Sequence, residues 1–484
     1  MASMTRTGVV LGPDPARVLA RSFVPGHLNF GGEPSRVDRI IDRIRALDDE
    51  EVTFSVEATR SRSEARHRSI EPAWSANAEL ARNLSSDGCP DLTGERLILL
   101  GMTFTLEYSF EAAALCNPSM VAVGDLTAES DQAFVMSARA IGEGHISSIS
   151  FRSGRVDAAG GIGFDEAAVW AGNGQRRSPM FDREMFRERL RELGAENHLS
   201  GEILDDLGAE FSLAQLESAI SRRADGDEMA ALRFETERAL HWLATSNYEV
   251  TFGDVPLSER VLSPAGPAES RGMEDARFVR FTEDDGSVRY FATYSAFDGF
   301  EVLPQLIETI DFTTFRISTL AGACARSKGM SIFPRRIGGD FVALARTDNE
   351  STFVMRSDHI RRWDVSELTL APTEPWELVQ AGNCGSPLET EAGWLVLMHG
   401  VGPMRRYVLS AVLLDLDEPT KVLGRLRHPL LQPQDNERDG YVPNVVYSCG
   451  GLIHGDTLVV PYGVSDTWIS VATVPVSDVL AEMS

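Results

Sequence analysis

No apolar run in this chain approaches the roughly 20 residues that a bilayer-spanning helix needs. Its opening residues, Met-Ala-Ser-Met-Thr-Arg-Thr-Gly, also lack the continuous apolar stretch and small-residue cleavage site of a secretory leader, so a cytoplasmic location is expected. Cysteine is scarce. The five present (Cys89, Cys116, Cys324, Cys384, Cys449) are odd in number, scattered and never spaced C-x-x-C, which argues against a disulfide framework or a zinc knuckle. They are expected to be reduced and mostly buried, and no metal site is predicted. Positive charge is in deficit, with 46 Lys+Arg against 72 Asp+Glu and a net charge of -26. Such a field repels phosphate backbones and anionic lipid, so neither a nucleic acid nor a membrane surface is an expected partner. An anionic ligand would need a local basic pocket. Also missing are H-E-x-x-H, the P-loop pattern and the G-x-S-x-G elbow, and none of the nine histidines pair at i, i+4. Gly160-Gly161-Ile162-Gly163 lacks the spacing of a dinucleotide fingerprint and is expected to be a turn.

What the chain does contain is the composition of a folded protein, 43% hydrophobic and 24% charged over 484 residues. Helical spacing is confined to a few stretches. Residues 34–46 place Val37, Ile40, Ile41 and Ile44 on one face with Ser35 available as an N-cap, and residues 64–84 suggest a second helix interrupted near Pro72. A longer helical block, 182–246, carries apolar stripes such as Leu213, Leu216 and Ile220, and separates two strand-rich regions like an insertion.

From residue 275 onward an apolar strand, a tight glycine turn and further strands recur. The turns are Asp284-Asp285-Gly286, Gly338-Gly339-Asp340, Glu391-Ala392-Gly393 and His454-Gly455-Asp456, and the strands after them begin at residues 290, 341, 394 and 458. A spacing of about 50–60 residues suits propeller blades with some loop growth. Four blades lie there, and a fifth is expected earlier, over residues 132–140 and 144–155. Each repeat ends at the same phase on a polar or aromatic group: Tyr294, Arg346, His399-Gly400, Tyr462-Gly463. The predicted fold is therefore an all-β five-bladed β-propeller with an α-helical N-terminal extension and a helical insertion. Its expected divisions are 1–110 (extension), 111–180 (first blade), 181–250 (helical insertion) and 251–484 (remaining blades).

The densest charge cluster is Glu-Ser-Arg-Gly-Met-Glu-Asp-Ala-Arg-Phe-Val-Arg-Phe, residues 269–281, at a strand start. Asp275 within it could cap a turn and pair with Arg277. Alternatively, partly desolvated, it could protonate a leaving oxygen as a general acid.

Gly272-Met273-Glu274-Asp275-Ala276-Arg277-Phe278 resembles the G-x-E-D-P-R motif of glycoside hydrolase family 130, the β-mannoside phosphorylases and β-1,2-mannosidases. Three further regions agree in order. They are the lysine-containing segment 327–335, ending Phe333-Pro334-Arg335; Gly385-Ser386-Pro387 with Gly393-Trp394-Leu395 and His399-Gly400-Val401; and Asn444-Val445-Val446 with Tyr462-Gly463-Val464-Ser465-Asp466. The helical stretches resemble a longer subgroup of that family. Ala276 stands where the motif has proline, and Gly329 follows Lys328 where short members carry an acid; both bear on acceptor and linkage specificity.

This resemblance implies a five-bladed propeller with Asp275 as general acid. It implies that Asp466 bonds the hydroxyls of the sugar in the cleaved subsite, and that Arg277, Lys328 and His399 grip phosphate, with Arg139 and Ser147 completing the cradle. Asn444 belongs to the same motif set, and Tyr294 and Tyr462 are candidates to line the sugar site. The expected reaction is inverting phosphorolysis of a β-mannoside to α-mannose 1-phosphate, with inorganic phosphate as co-substrate and no cofactor. Phosphate, once held by several charge-assisted donors, is an adequate nucleophile, whereas a hydrolase needs a second carboxylate to activate water. Two alternatives stay open: an inverting β-mannosidase using Glu269 or Glu274 as base, and a non-catalytic propeller that binds sugars or proteins. A mannooligosaccharide or mannosyl sugar is the expected partner, and the helical segments could serve a homo-oligomer.

Overall fold

The structure is a computed structural model that describes residues 3–26, 35–126, 130–223 and 230–483. Its chain divides into two compact units: Met1–Pro13, Ala113–Ala167 and Asn173–Ser484 form one, and Asp14–Ala112 with Ala168–Gly172 the other.

The larger unit is mostly β. Strands Ala114–Ala122, Gln132–Ile141 and Ser147–Val156 form an antiparallel meander, and Gly272–Thr282, Val288–Phe297, Val302–Thr309 and Thr314–Thr319 form the next. One parallel pair, Gly272 with Ser147, joins these two meanders. A four-stranded sheet runs from Ser331–Ile332 to Val365–Leu370, and a five-stranded one is built around Gly393–Gly402. The last sheet centres on Thr457–Val464 and Trp468–Pro475. Hydrophobic burial orders these sheets. Gly393–Gly402 (Gly-Trp-Leu-Val-Leu-Met-His-Gly-Val-Gly) is buried at every position, as a strand covered on both faces should be, whereas Val365–Leu370, an edge strand of the sheet before it, is largely exposed. Gly286 sits at φ +82° in its turn with open space around it, so the requirement there is conformational, for a backbone region L side chains avoid.

Sequence position does not decide where a strand docks. Thr5–Leu11, expected within the N-terminal extension, pairs antiparallel with Trp468–Pro475 and completes the last sheet. Its backbone thereby satisfies an edge that would otherwise be open.

The helical block lies where its periodicity places it. Arg183–Glu192, His198–Asp205, Leu213–Arg222 and Ala230–Thr245 gather Phe186, Leu190, Leu204, Phe211, Leu216, Leu240 and Leu243 into a core of their own. Part of the predicted block, 224–229, lies outside the described residues. Capping boxes at Asn197 and Ser212 start two of these helices.

In the smaller unit, helix Arg36–Ala46 is capped by Ser35 as expected, with Pro34 outside the described residues. The reading of 64–84 as one interrupted helix is corrected. A helix ends at Glu64 and another, Glu71–Leu84, begins with Pro72 in its first turn, where a missing N–H costs nothing. Asp49–Glu64 and Gly94–Thr103 complete the bundle around Val37, Ile41, Val56, Trp74 and Leu100. Among the described residues no helix is long and apolar enough to cross a membrane. All five cysteines are free and buried.

Candidate active site

Polar residues from sheets throughout the larger unit converge on a cavity of about 190 Å³. Arg139 comes from Gln132–Ile141, Glu274 and Asp275 from Gly272–Thr282, Arg346 from just after Phe341–Ala345, His399 from Gly393–Gly402, and Asp466 from just after Thr457–Val464. The shared phase seen in the repeats is thus a shared position in space for Arg346 and His399.

Two irregularities aim the chemistry. The pairing of Gly272–Thr282 with its neighbour shifts register between Glu274 and Arg277, and Asp275 in that bulge adopts φ 56°. An equivalent shift between Cys116 and Ser119 leaves Asn117 at φ 47°. A bulge turns a side chain out of the strand's alternation, and strain of this kind persists only where surrounding structure enforces it. Here the two bulged residues meet: Asn117 Nδ2 donates to Asp275 Oδ1 at 2.5 Å. Asn117 Oδ1 is buried and has no hydrogen-bond partner among the described residues. An acceptor left in that state at a cavity wall is a ready partner for a ligand hydroxyl.

The enforcement at Asp275 comes from Arg277. This guanidinium is fully buried, and it donates to the Asp275 carbonyl at 2.8 Å, the Cys384 carbonyl at 2.8 Å and the Tyr447 hydroxyl at 2.7 Å. The expectation that Arg277 grips phosphate is therefore corrected. Each of its three nitrogens donates to a protein oxygen, it does not line the cavity, and its work is to hold the bulge.

Glu274 takes a different part from its neighbour. Its carboxylate receives Arg139 Nη2 at 2.6 Å and Lys328 Nζ at 2.8 Å. Ser147 accepts from Arg139 Nε at 2.9 Å and so braces that arginine from behind rather than facing the cavity. Arg139 Nη1 also lies 3.6 Å from Asp275 Oδ1. Arg346 and Arg405 line the same cavity, and neither has a carboxylate partner among the described residues. Gly382 makes room for this arrangement, because a methyl built there would lie 2.5 Å from Arg346 Cδ and 2.8 Å from His399 Cε1.

The titrating groups are pushed apart. Burial raises the Asp275 carboxyl, but Arg139, Arg277, Lys328 and the Asn117 amide outweigh it and hold the group below its ordinary range. Asp466 goes the other way, raised to about 6 chiefly by burial, with the Asp275 and Glu274 charges adding to it against Arg139 and Arg405. Burial, then the Arg346 and Arg277 charges, push His399 well below the usual imidazole range, so it is neutral at pH 7. Its Nε2 lies 3.4 Å from the Gln380 amide.

Other expected residues lie elsewhere. Tyr294 hydrogen-bonds Glu269 and Gln305, each at 2.6 Å, in the core of its own sheet. Tyr462 donates to Glu437 at 2.9 Å, and Asn444 accepts from Arg438 at 3.1 Å. None of the three lines the cavity, although Val442 and Val445 beside Asn444 do. Glu269 is buried and accepts from Tyr248, Tyr294 and the Ala265 and Gly266 amides, which leaves it no freedom to act as a base. Asn117, Gln380 and Arg405 join the site without being marked out by motif or repeat, and Tyr447, which follows Asn444-Val445-Val446 in its motif segment, joins it without having been assigned a role. The one local signal is Asn117-Pro118 inside a strand, a pairing that disfavours regular ladder geometry.

The site thus sets carboxyls beside two arginines that form no salt bridge among the described residues, an arrangement that offers acceptors to hydroxyls and donors to an anion. Comparison with known proteins agrees with that chemistry. The glycoside hydrolase family 130 profile, described as beta-1,4-mannooligosaccharide phosphorylase, matches residues 217–484. A 1,2-beta-oligomannan phosphorylase of Thermoanaerobacter sp. (strain X514) is 34% identical over 231 residues, covering 46% of this chain and 75% of the relative. Beta-1,2-mannobiose phosphorylase of Listeria innocua is 33% identical over 230 residues, 46% of this chain and 63% of that one. Beta-1,4-mannooligosaccharide phosphorylase of Ruminococcus albus is 34% identical over 214 residues, 42% and 62% respectively. The chain belongs to glycoside hydrolase family 130.

Proposed function

We propose that this chain is an inverting phosphorylase that cleaves β-mannosides with inorganic phosphate, releasing α-mannose 1-phosphate and a shortened acceptor. The observation that carries this reading is the meeting of Asp275 and Asp466 with two arginines, Arg346 and Arg405, neither of which forms a salt bridge with a carboxylate among the described residues, although Arg405 is close enough to act on the Asp466 charge. A phosphate dianion supplies the missing counter-charge, and a guanidinium matches its geometry with paired donors. Neutral His399 and Lys328 add further donors to the same wall. In this reading a phosphate oxygen attacks C1 as the bond to the glycosidic oxygen breaks, inverting the centre, and the departing oxygen takes a proton that originates on Asp275. An ionised Asp275 must first gain that proton. An arriving phosphate offsets the Arg139 and Lys328 charges that keep it ionised, so nucleophile binding and acid readiness are linked. Asp466 would bond the hydroxyls of the sugar being transferred.

We read the meanders as five blades around one axis. The single pair Gly272–Ser147 is too slight a link to make one sheet of the first two, and the strand Thr5–Leu11 would close the last blade.

A hydrolase reading rests on Glu274, the one proposed base that lines the cavity. Both of its oxygens already accept from cations, Oε1 from Arg139 and Oε2 from Lys328, so neither is free to take up a water. Phosphate dependence decides between them. Turnover of a β-linked mannobiose is expected to require phosphate and to yield the α-anomer of mannose 1-phosphate by NMR; equal rates without phosphate would sink the phosphorylase reading.

A further inference from the structure

The loop that carries Lys328 is gripped by the helical block. Strand Thr314–Thr319 leads into this loop and Ser331–Ile332 receives it. At its entry the Thr319 amide donates at 2.9 Å to Asn247 Oδ1, just past helix Ala230–Thr245. Three residues on, the amide of buried Gly322 donates at 2.7 Å to Glu192 Oε1, at the end of helix Arg183–Glu192. Buried Arg189, one turn back on that helix, donates to Glu192 Oε2 at 2.8 Å and so fixes the carboxylate. Glu188 on the same helix pairs with Arg362, whose neighbour Trp363 shares backbone hydrogen bonds with Ala321 and Cys324. Gly322 leaves no slack between these partners. It sits at φ +101°, and a methyl there would lie 2.3 Å from the Trp363 carbonyl oxygen. The chain therefore has a fixed point six residues before Lys328.

Lys328 needs such a point. Its side chain is 41% open, so packing alone does not place it, and its ammonium reaches Glu274 at 2.8 Å from wherever the backbone sets it. Past Lys328 the chain is tied again, with the Gly329 carbonyl accepting from Asn383 Nδ2 at 2.8 Å and the Met330 carbonyl from the Thr293 hydroxyl. Between the two ties the turn is built on the fixed end: the Ala325 amide donates to the Gly322 carbonyl and the Arg326 amide to that of Cys324. We propose that the helical block acts on the active site through this loop, and that Glu192, by holding the Gly322 amide, is a positioning residue for Lys328 and so for anion binding in the cavity. A carboxylate on an amide is a charge-assisted bond, and its loss strands a buried donor, which favours any shift of the turn that restores a partner. Displacing a donor by about 1 Å is enough to weaken what it holds. The anion role of Lys328 rests on the phosphorylase reading; the hold of Glu192 on the loop does not.

The test is Glu192→Ala and Glu192→Gln in the full chain, each alone and combined with Lys328→Met, read by hydrogen-exchange mass spectrometry and steady-state kinetics. Glu192→Ala is expected to speed exchange about tenfold over residues 321–330 while the sheet around Gly393–Gly402 stays as protected as in wild type. It is also expected to raise the phosphate KM about 3–10-fold, with kcat within about threefold. Glu192→Gln keeps an oxygen for the Gly322 amide and should recover most of both effects. Lys328→Met should itself raise the phosphate KM, and in that background Glu192→Ala should add less than about twofold, because two residues acting through one contact do not add. Unchanged exchange over 321–330 in Glu192→Ala would overturn the proposal. So would effects of Glu192→Ala and Lys328→Met that multiply, since Glu192 would then act by another route. Exchange that rises in every sheet marks a general loss of structure and overturns it too. A wild type that turns over mannobiose equally well without phosphate removes the phosphorylase reading alone, and the same pair of substitutions is then scored on kcat/KM for mannobiose.

Discussion

Replacing Asp466 with asparagine keeps the shape of the site and removes one charge that its surroundings oppose. The carboxyl rises from its ordinary 3.8 to about 6, chiefly through burial, with the Asp275 charge adding to it. Each pKa unit corresponds to about 1.36 kcal/mol, so holding Asp466 ionised costs the folded state about 3 kcal/mol at most. Water and counter-ions reaching the cavity reduce this, and about 1–3 kcal/mol is the expected range.

The sign follows from linkage. Below about pH 4 the group is protonated in folded and unfolded chains alike, and its contribution is fully present. Between about pH 4 and 6 only the folded chain keeps the proton, so stability is lost as pH rises through the folded value. Asparagine never ionises. Asp466→Asn should therefore match wild type near pH 4 and gain about 1–3 kcal/mol over it by pH 8. Urea unfolding followed by fluorescence across that range measures the difference. Turnover should fall at least about 100-fold, since a carboxylate gripping sugar hydroxyls is lost; a group kept at a cost to stability is what a functional role requires. A variant less stable than wild type at pH 8 would refute the reasoning, because it would mean that the Asp466 charge is a stabilising partner and not a buried liability.

Asp275→Asn should lower kcat by about 10²–10⁴ with phosphate binding retained, and near-wild-type turnover would remove Asp275 from the mechanism. Arg346→Met should raise the phosphate KM about 10–100-fold while leaving acceptor binding in place, measured by initial rates at varied phosphate. Arg277→Met strands the Asp275 and Cys384 carbonyls and the Tyr447 hydroxyl in a buried setting, and should cost about 3 kcal/mol or more of stability in urea. Gly382→Ala inserts a methyl where Arg346 and His399 already lie, so the phosphate KM should rise with far-UV circular dichroism unchanged.

The contrast between Asp275 and Arg277 shows where sequence reading works and where it stops. Two residues apart in one motif, both are assigned by it to the site, yet in the strand they serve opposite sides of it. Asp275 is turned into the cavity by the bulge, while Arg277 points into the protein and fixes the bulge by its carbonyl. Spacing in a regular strand would put residues i and i+2 on the same face. The extra residue in the bulge breaks that rule, and no local pattern announces it. Glu269 and Glu274 part for another reason: Glu269 lies in the turn before the strand, enclosed by four donors, and Glu274 in the strand, in the cavity between Arg139 and Lys328.

Repeat phase carries further than motif spacing, because strands of a meander end at similar depths whatever lies between them. Arg346 and His399, from different sheets, reach the cavity as that phase implies, but Tyr294 and Tyr462 do not. The difference is one of environment: each of those tyrosines has a buried glutamate close by, Glu269 and Glu437, which satisfies its hydroxyl inside its own sheet. Where a polar group finds a partner depends on side chains brought in from remote parts of the chain, and these are the contacts a linear pattern does not encode. Asn117, absent from every motif, joins the acid for the complementary reason. Its own strand carries a bulge, and the amide it turns outward meets the carboxylate that another bulge turns toward it.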